Sequence, residues 1–233
     1  MFDMIAFDAD DTLWHNETLF SETQQRFRDL LAAYHDSDWI NRKLFETETR
    51  NLEIFGYGIK GFALSMIETA VELTEGRVTG AEIQSLLDEA KGMLRAPVEV
   101  LPQVQKTLAD LAKSYPLMVI TKGDLFDQES KIARSGLGDH FQHLEIVSEK
   151  KPAVYHQILE KYALNAERFL MVGNSLKSDI LPVVSLGGHA VHIPYHILWK
   201  HERIASEQLQ DVHYHKLQHI GQLPQLIREL TEG

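Results

Sequence analysis

The chain opens on a short apolar run, Met4-Ile5-Ala6-Phe7, that ends abruptly in the carboxylates Asp8, Asp10 and Asp11. A continuous apolar stretch of this length, without alternation, reads as a strand buried on both faces. From there to about residue 94 the pattern is helical. Phe27, Leu30, Leu31 and Tyr34 share one face of a first helix, with Ser21 as its expected N-cap and Glu22 in its first turn. A second helix is expected over 38–55 and a glycine-rich loop over 56–61. A third helix carries Phe62, Met66, Ala70 and Leu73, and a fourth carries Ile83, Leu86, Leu87, Ala90 and Leu94 behind a cap at Thr79.

Beyond Pro102 the pattern alternates between short apolar runs and amphipathic stretches. Strands are expected at 117–120, 144–147, 169–172 and 189–193, separated by helices around Leu108, over 124–134, around Ile158 and over 177–186. A short edge strand at 213–217 and a last helix carrying Leu223, Leu226, Ile227 and Leu230 close the chain. Strands separated by helices of this length need crossover connections. The expected fold is therefore α/β: a doubly wound, mainly parallel, Rossmann-like sheet of five or six strands, with an inserted all-α helical bundle. The expected division is an α/β core of residues 1–15 and 97–233 and an insertion of residues 16–96.

With 233 residues, 44% of them hydrophobic, the chain can bury a sizeable core. It has no cysteine, which excludes disulfides and thiolate chemistry. No stretch is apolar enough to span a bilayer and none has the form of a signal peptide, so the expectation is a soluble cytoplasmic protein. A formal net charge of −11 disfavours nucleic acid and anionic membrane as partners. A small anionic substrate remains compatible with a locally basic site.

In an open α/β sheet, ligands bind where the strands end. Each expected strand delivers polar groups there: Asp8 and Asp10 after the first, Thr121-Lys122-Gly123-Asp124 after the second, Lys150-Lys151-Pro152 beyond the third, and Gly173-Asn174-Ser175 with Asp179 after the fourth. A carboxylate, a hydroxyl, an ammonium and oxygen ligands for a hard cation are together what in-line phosphoryl transfer requires.

With these four stretches in this order, the sequence resembles the haloacid dehalogenase superfamily, dominated by magnesium-dependent phosphatases. The resemblance rests on D-x-D-x-T at Asp8 to Thr12, Thr121 after an apolar strand, the pair Lys151-Pro152, and Gly173-Asn174-Ser175 to Asp179. It implies that Asp8 attacks phosphorus to form an aspartyl-phosphate, and that Asp10 protonates the leaving alcohol and then deprotonates water. It further implies that Thr121, Lys122 and Lys151 bind the phosphoryl group, and that Mg²⁺ is held by Asp8, Asp10 through its main-chain carbonyl, Asn174 and Asp179. The helical insertion is similar to the cap that one subfamily carries after its first motif, and Tyr57 and Lys60 in the glycine-rich loop are its candidates for touching substrate. The implied partner is a small phosphorylated metabolite, bound by a monomer or homodimer.

Two positions depart from the family pattern. Asn174 stands where an aspartate is usual, which removes one negative charge and predicts weaker Mg²⁺ binding, with Asp179 carrying more of the support. Asp11 stands where glycine is common, and a turn or helix-start role is the reading for it. The histidines at 192, 196, 201, 213, 215 and 219 include an i,i+4 pair, but no expected helix spans that pair and no general base accompanies it. They read as a polar surface segment. Residues 195–210, with Trp199, Lys200 and Arg203, are either a substrate-site flank or an oligomer contact. Four rivals stay open: a metal-free dehalogenase, against which Asp10 argues; a sugar-phosphate mutase; a phosphonate-cleaving enzyme using Lys60; and a non-catalytic scaffold.

Overall fold

The computed structural model describes residues 1–205, 209 and 212–232. Six strands, β1 (Met4–Phe7), β2 (Leu117–Lys122), β3 (His143–Val147), β4 (Phe169–Gly173), β5 (His189–His192) and β6 (His215–Lys216), form one sheet in the order β3-β2-β1-β4-β5-β6. Every neighbouring pair is parallel. Contacts divide the chain into two compact units. Met1–Glu17, Val98–Lys122 and Ser130–Gly233 form the α/β unit, and Thr18–Pro97 with Gly123–Glu129 forms a helical one.

The helical unit is built from α1 (Glu17–Leu31), α2 (Ser37–Phe55), α3 (Ile59–Leu73) and α4 (Gly80–Arg95). Their apolar stripes meet in one core around Phe27, Leu31, Ile40, Leu44, Phe62, Met66, Ala70 and Leu86. Helix α1 starts at Glu17, five residues ahead of the start that Ser21 as N-cap would give, because the Asp11 carboxylate accepts the N–H groups of Asn16 and Glu17 at 2.9–3.1 Å. The glycine-rich loop is also shorter than expected. Gly56 and Gly58 hold φ of 70° and 119°, and α3 takes up the chain at Ile59, so Lys60 and Gly61 lie in its first turn.

In the α/β unit, residue alternation along each strand feeds two separate cores. Ile5 and Phe7, Leu117 and Val119, and Leu170 and Val172 face a cluster completed by Val104, Leu108 and Leu111 of α5 (Val104–Leu111), Ile132 of α6 (Leu125–Ser135) and a C-terminal helix. Met4 and Ala6, Met118 and Ile120, and Phe169 and Met171 face the other way, against Tyr155, Ile158 and Leu159 of α7 (Pro152–Lys161) and Val183 of α8 (Leu181–Val184). That C-terminal helix is α9 (Leu223–Glu232), whose Leu223 and Ile227 are buried. Both faces of the sheet are thus apolar, which is why β1, β2 and β4 read as unbroken hydrophobic runs. The helix expected over 177–186 is divided. A π-helical turn, Leu176–Ile180, precedes α8, and Pro182 within α8 has no N–H to continue a regular ladder. No helix among the described residues is long and apolar enough to cross a membrane.

Helix α4 carries a full capping box: Thr79 accepts from the Glu82 N–H at 3.2 Å, and the Glu82 carboxylate accepts from the Thr79 N–H at 2.7 Å. Thr79→Ala is expected to cost the helical unit about 1 kcal/mol. Urea unfolding followed by far-UV circular dichroism measures this, and an unchanged midpoint would show the cap to be idle.

Candidate active site

Strand β1 lies between β2 and β4 with Phe7 level with Val119 and Val172, so Asp8, Thr121 and Gly173 leave the sheet at one edge. The Asp8 N–H still donates to Val172 O at 2.9 Å, which extends the ladder and fixes the direction of the Asp8 side chain. Its Oδ1 accepts from Lys150 Nζ at 2.5 Å, and its Oδ2 accepts from the Thr12 hydroxyl at 3.0 Å. Lys150 Nζ also donates to Asp179 Oδ1 at 2.7 Å, and Asp179 Oδ2 accepts the Ser175 N–H at 2.9 Å. The Thr12 hydroxyl is 3.4 Å from Asn174 Oδ1. Asp8, Asn174 and Asp179 therefore lie within one hydrogen-bonded group. Gly173 is part of it, because a Cβ there would stand 2.2 Å from Asp179 Oδ2.

The electrostatics follow from this burial. Desolvation pushes the Asp8 carboxyl above the usual carboxylate range, the Lys150 ammonium pulls it back, and the charges of Asp179 and Asp10 push it up again. Burial by itself would lower the Lys150 ammonium, but two carboxylates more than offset that and hold it protonated. One cation thus balances two buried anions, with Asp10 close by. The donors at this edge are oxygens of carboxylate and amide type, the set that suits a hard cation.

The lysine bonded to Asp8 is Lys150 and not the expected Lys151. Lys151 is the N-cap of α7 in an extended conformation, with its side chain 68% exposed beside Glu149, whereas the Lys150 side chain is 1% exposed. Successive residues of an extended segment point to opposite sides, so pairing the lysine with Pro152 selected the outward member. Lys122 also differs from its expected role. Its ammonium donates to Ser178 Oγ at 3.0 Å and pairs with Glu202, and so is engaged by protein groups in place of a free phosphoryl site. Thr121, the last residue but one of β2, is buried, its hydroxyl 3.4 Å from Lys122 O.

Asp10 and Asp11 have separate tasks. Asp10 Oδ1 accepts from Trp14 Nε1 at 2.7 Å, and Lys131 Nζ reaches both Asp10 oxygens at 2.7 and 3.0 Å. Asp11 sits at φ 63°, the left-handed geometry that explains a glycine preference there, and its carboxylate closes the turn onto α1. Burial raises its pKa to about 7, opposed in part by the N–H groups of Glu17 and Asn16.

The described part of residues 195–210 folds back onto the α/β unit; residues 206–208 and 210 lie outside the described residues. Tyr195 OH is 2.6 Å from His15 Nδ1, Lys177 Nζ donates to His201 O at 2.6 Å, and Glu202 bonds Lys122, Ser175 and Ser178. Nothing in the sequence marked Glu202, Lys131 or Lys150 individually. Thr12 is legible as the end of D-x-D-x-T, whereas its bond to Asp8 is visible only in the fold. In the helical unit, Lys60 Nζ pairs with Asp124 Oδ1 at 2.8 Å, and Tyr57 lies half-buried between the two positive-φ glycines. Among the described residues no group of three or more His, Asp or Glu side chains is placed to hold a metal ion.

Burial by itself would raise Glu202, but the Lys122 ammonium and the hydroxyls of Ser175 and Ser178 bring it down from 4.5 to about 2. Being depressed in the folded state, it stabilises fully above pH 4.5 and loses that contribution as pH falls toward 2. Relative to Glu202→Gln, the parent protein is expected to lose on the order of 2 kcal/mol across that window. Urea midpoints of the two proteins at several acid pH values give the difference, and parallel profiles would remove the assignment.

Comparison with known proteins agrees with this geometry. The family model for haloacid dehalogenase-like hydrolases matches residues 2–187. A haloacid dehalogenase-like family hydrolase from Xanthomonas campestris superposes with a TM-score of 0.87 at 40% identity, covering 98% of this chain and 91% of that one. The 5-amino-6-(5-phospho-D-ribitylamino)uracil phosphatase of Escherichia coli is 24% identical over 204 residues, 81% of this chain and 82% of its own length. A glyceraldehyde 3-phosphate phosphatase of Pyrococcus furiosus is 31% identical over 136 residues, which span 56% of this chain and 54% of that protein. With the matched residues running from before β1 to beyond α8, the chain belongs to the haloacid dehalogenase-like hydrolases.

Proposed function

We propose that this hydrolase is a Mg²⁺-dependent phosphatase that cleaves a small phosphomonoester through an aspartyl-phosphate. The observation that carries the reading is the separation of two carboxylates two residues apart. Asp8 is buried against Lys150 and Thr12, while Asp10 is held apart by Trp14 and Lys131. Two acids with distinct partners can perform distinct steps. The phosphatase names of the Escherichia coli and Pyrococcus furiosus relatives support the same reaction class. Asp10 also disfavours the metal-free dehalogenase reading, in which that position carries no acid.

In the first step Asp8 attacks phosphorus and the ester oxygen leaves with a proton from Asp10. In the second, Asp10 takes a proton from water, which attacks the phosphoryl-aspartate and releases phosphate. Lys150 and Thr121 stabilise the phosphoryl oxygens as charge develops on them. Asp8, the Asp10 main-chain carbonyl and Asn174 would hold Mg²⁺, and the fit rests on their oxygen chemistry and on the excess of buried negative charge over the single ammonium. The Asp179 side chain is 1% exposed against 11% for Asp8, and its oxygens bond Lys150 and the Ser175 N–H, so Asp179 would support the site through those groups. When bound, the ion would neutralise phosphoryl and Asp8 charge.

Phosphate release from p-nitrophenyl phosphate tests the reading. It is expected to require Mg²⁺ and to be lost in Asp8→Asn; turnover indifferent to both would defeat the proposal. In the same assay Lys150→Met should lower kcat by roughly 10²–10³-fold, as for other lost transition-state donors, while Lys151→Met stays near the parent value. Equal loss in the two lysine variants would contradict the placement of Lys150.

Asn174→Asp restores a second formal charge among the proposed ligands and is expected to tighten Mg²⁺ binding by about tenfold, the equivalent of ~1.4 kcal/mol. Calorimetric titration of the resting protein with Mg²⁺ measures it. Unchanged affinity would remove Asn174 from the proposed ligand set.

A further inference from the structure

The Asp10 carboxylate has its own clamp, distinct from the cluster around Asp8. Trp14 Nε1 donates to Oδ1 at 2.7 Å, and Lys131 Nζ donates to Oδ1 at 2.7 Å and to Oδ2 at 3.0 Å. The same ammonium reaches Asn16 Oδ1 at 3.2 Å, which fixes it from a second direction. Both donors are anchored. Trp14 is among the largest fully buried side chains, and its backbone bridges to Val100; Lys131 is 8% exposed on α6. A buried ammonium is costly unless paired, so Lys131 and Asp10 hold each other in place.

We infer that Lys131 is a positioning residue for the hydrolytic reaction, locking the Asp10 carboxylate in the orientation from which it exchanges a proton with the leaving oxygen. The inference rests on the proposed role of Asp10 as acid and base. Lys131 touches neither phosphorus nor the leaving group in this scheme. It acts through Asp10, by fixing both carboxylate oxygens in one orientation. A leaving group that departs as a stable anion needs little help from this device. One that departs as a basic alkoxide or phenoxide needs much.

The test compares p-nitrophenyl phosphate with unsubstituted phenyl phosphate, two substrates of similar size whose leaving groups differ in basicity. In Asp10→Asn the loss of kcat on phenyl phosphate should exceed the loss on p-nitrophenyl phosphate by about 100-fold, within the range for a positioned general acid. Lys131→Gln should show the same bias at about tenfold, with KM shifted much less than kcat, and Lys131→Arg should recover most of it. Trp14→Phe removes the other donor without touching charge and should show a bias of the same sign, which keeps the test open should Lys131→Gln fold poorly. If Asp10→Asn is biased while Lys131→Gln and Trp14→Phe lose activity equally on both substrates, the clamp is structural and the inference falls alone. If Asp10→Asn itself shows no bias, or the parent turns over neither substrate, the reading of Asp10 falls and the inference with it.

Discussion

A single buried ammonium shared by two buried carboxylates is the constraint around which the α/β unit is arranged. Lys150 bonds Asp8 at 2.5 Å and Asp179 at 2.7 Å, with both lysine and Asp179 side chains 1% exposed. Burying such a group is costly, and removing one member leaves an uncompensated charge, a loss of several kcal/mol in typical cases. The surroundings are shaped to satisfy it. Thr12 and the Ser175 N–H supply donors to the remaining carboxylate oxygens, and Gly173 leaves the space that the Asp179 carboxyl occupies. The group retains an excess of negative charge, one ammonium standing against two carboxylates.

The sheet makes this arrangement possible by moving all apolar demands elsewhere. Because β1, β2 and β4 bury both faces, their only polar outlets are the strand ends, and parallel pairing brings those ends to one edge. The turn after Asp8 then separates the acids. Asp11 takes the left-handed position, so the chain reverses within a few residues and returns Trp14 to bond Asp10. Two carboxylates that would repel if held together are given different cations, Lys150 and Lys131.

A third cation, Lys122, completes this distribution by pairing with Glu202 from the segment beyond β5. Glu202 also bonds Ser175 and Ser178, the residues that frame the turn carrying Asp179. The segment therefore buttresses the loop after β4. The haloacid dehalogenase-like fold supplies the strand edge, and Lys150, Lys131 and Lys122 distribute their charges among its carboxylates.

Local sequence determined what depends on neighbours a few residues apart. Unbroken apolar runs marked the central strands, periodic leucines and phenylalanines marked the helical insertion, and Thr79 marked its cap, because burial on two faces, on one stripe, or at a helix start each leaves its own spacing. Asp8, Asn174 and Asp179 were legible at strand ends for the same reason. Tertiary structure alone decided which charges meet. Lys150 and Asp8 are 142 residues apart, Lys131 and Asp10 are 121 apart, and Lys122 and Glu202 are 80 apart. A one-residue step in an extended segment turns Lys151 to solvent and Lys150 into the core, and no local pattern separates two adjacent lysines. Periodicity records which side of an element is buried. The partner of a buried charge is set by how distant elements pack, and that became visible only when the sheet was assembled.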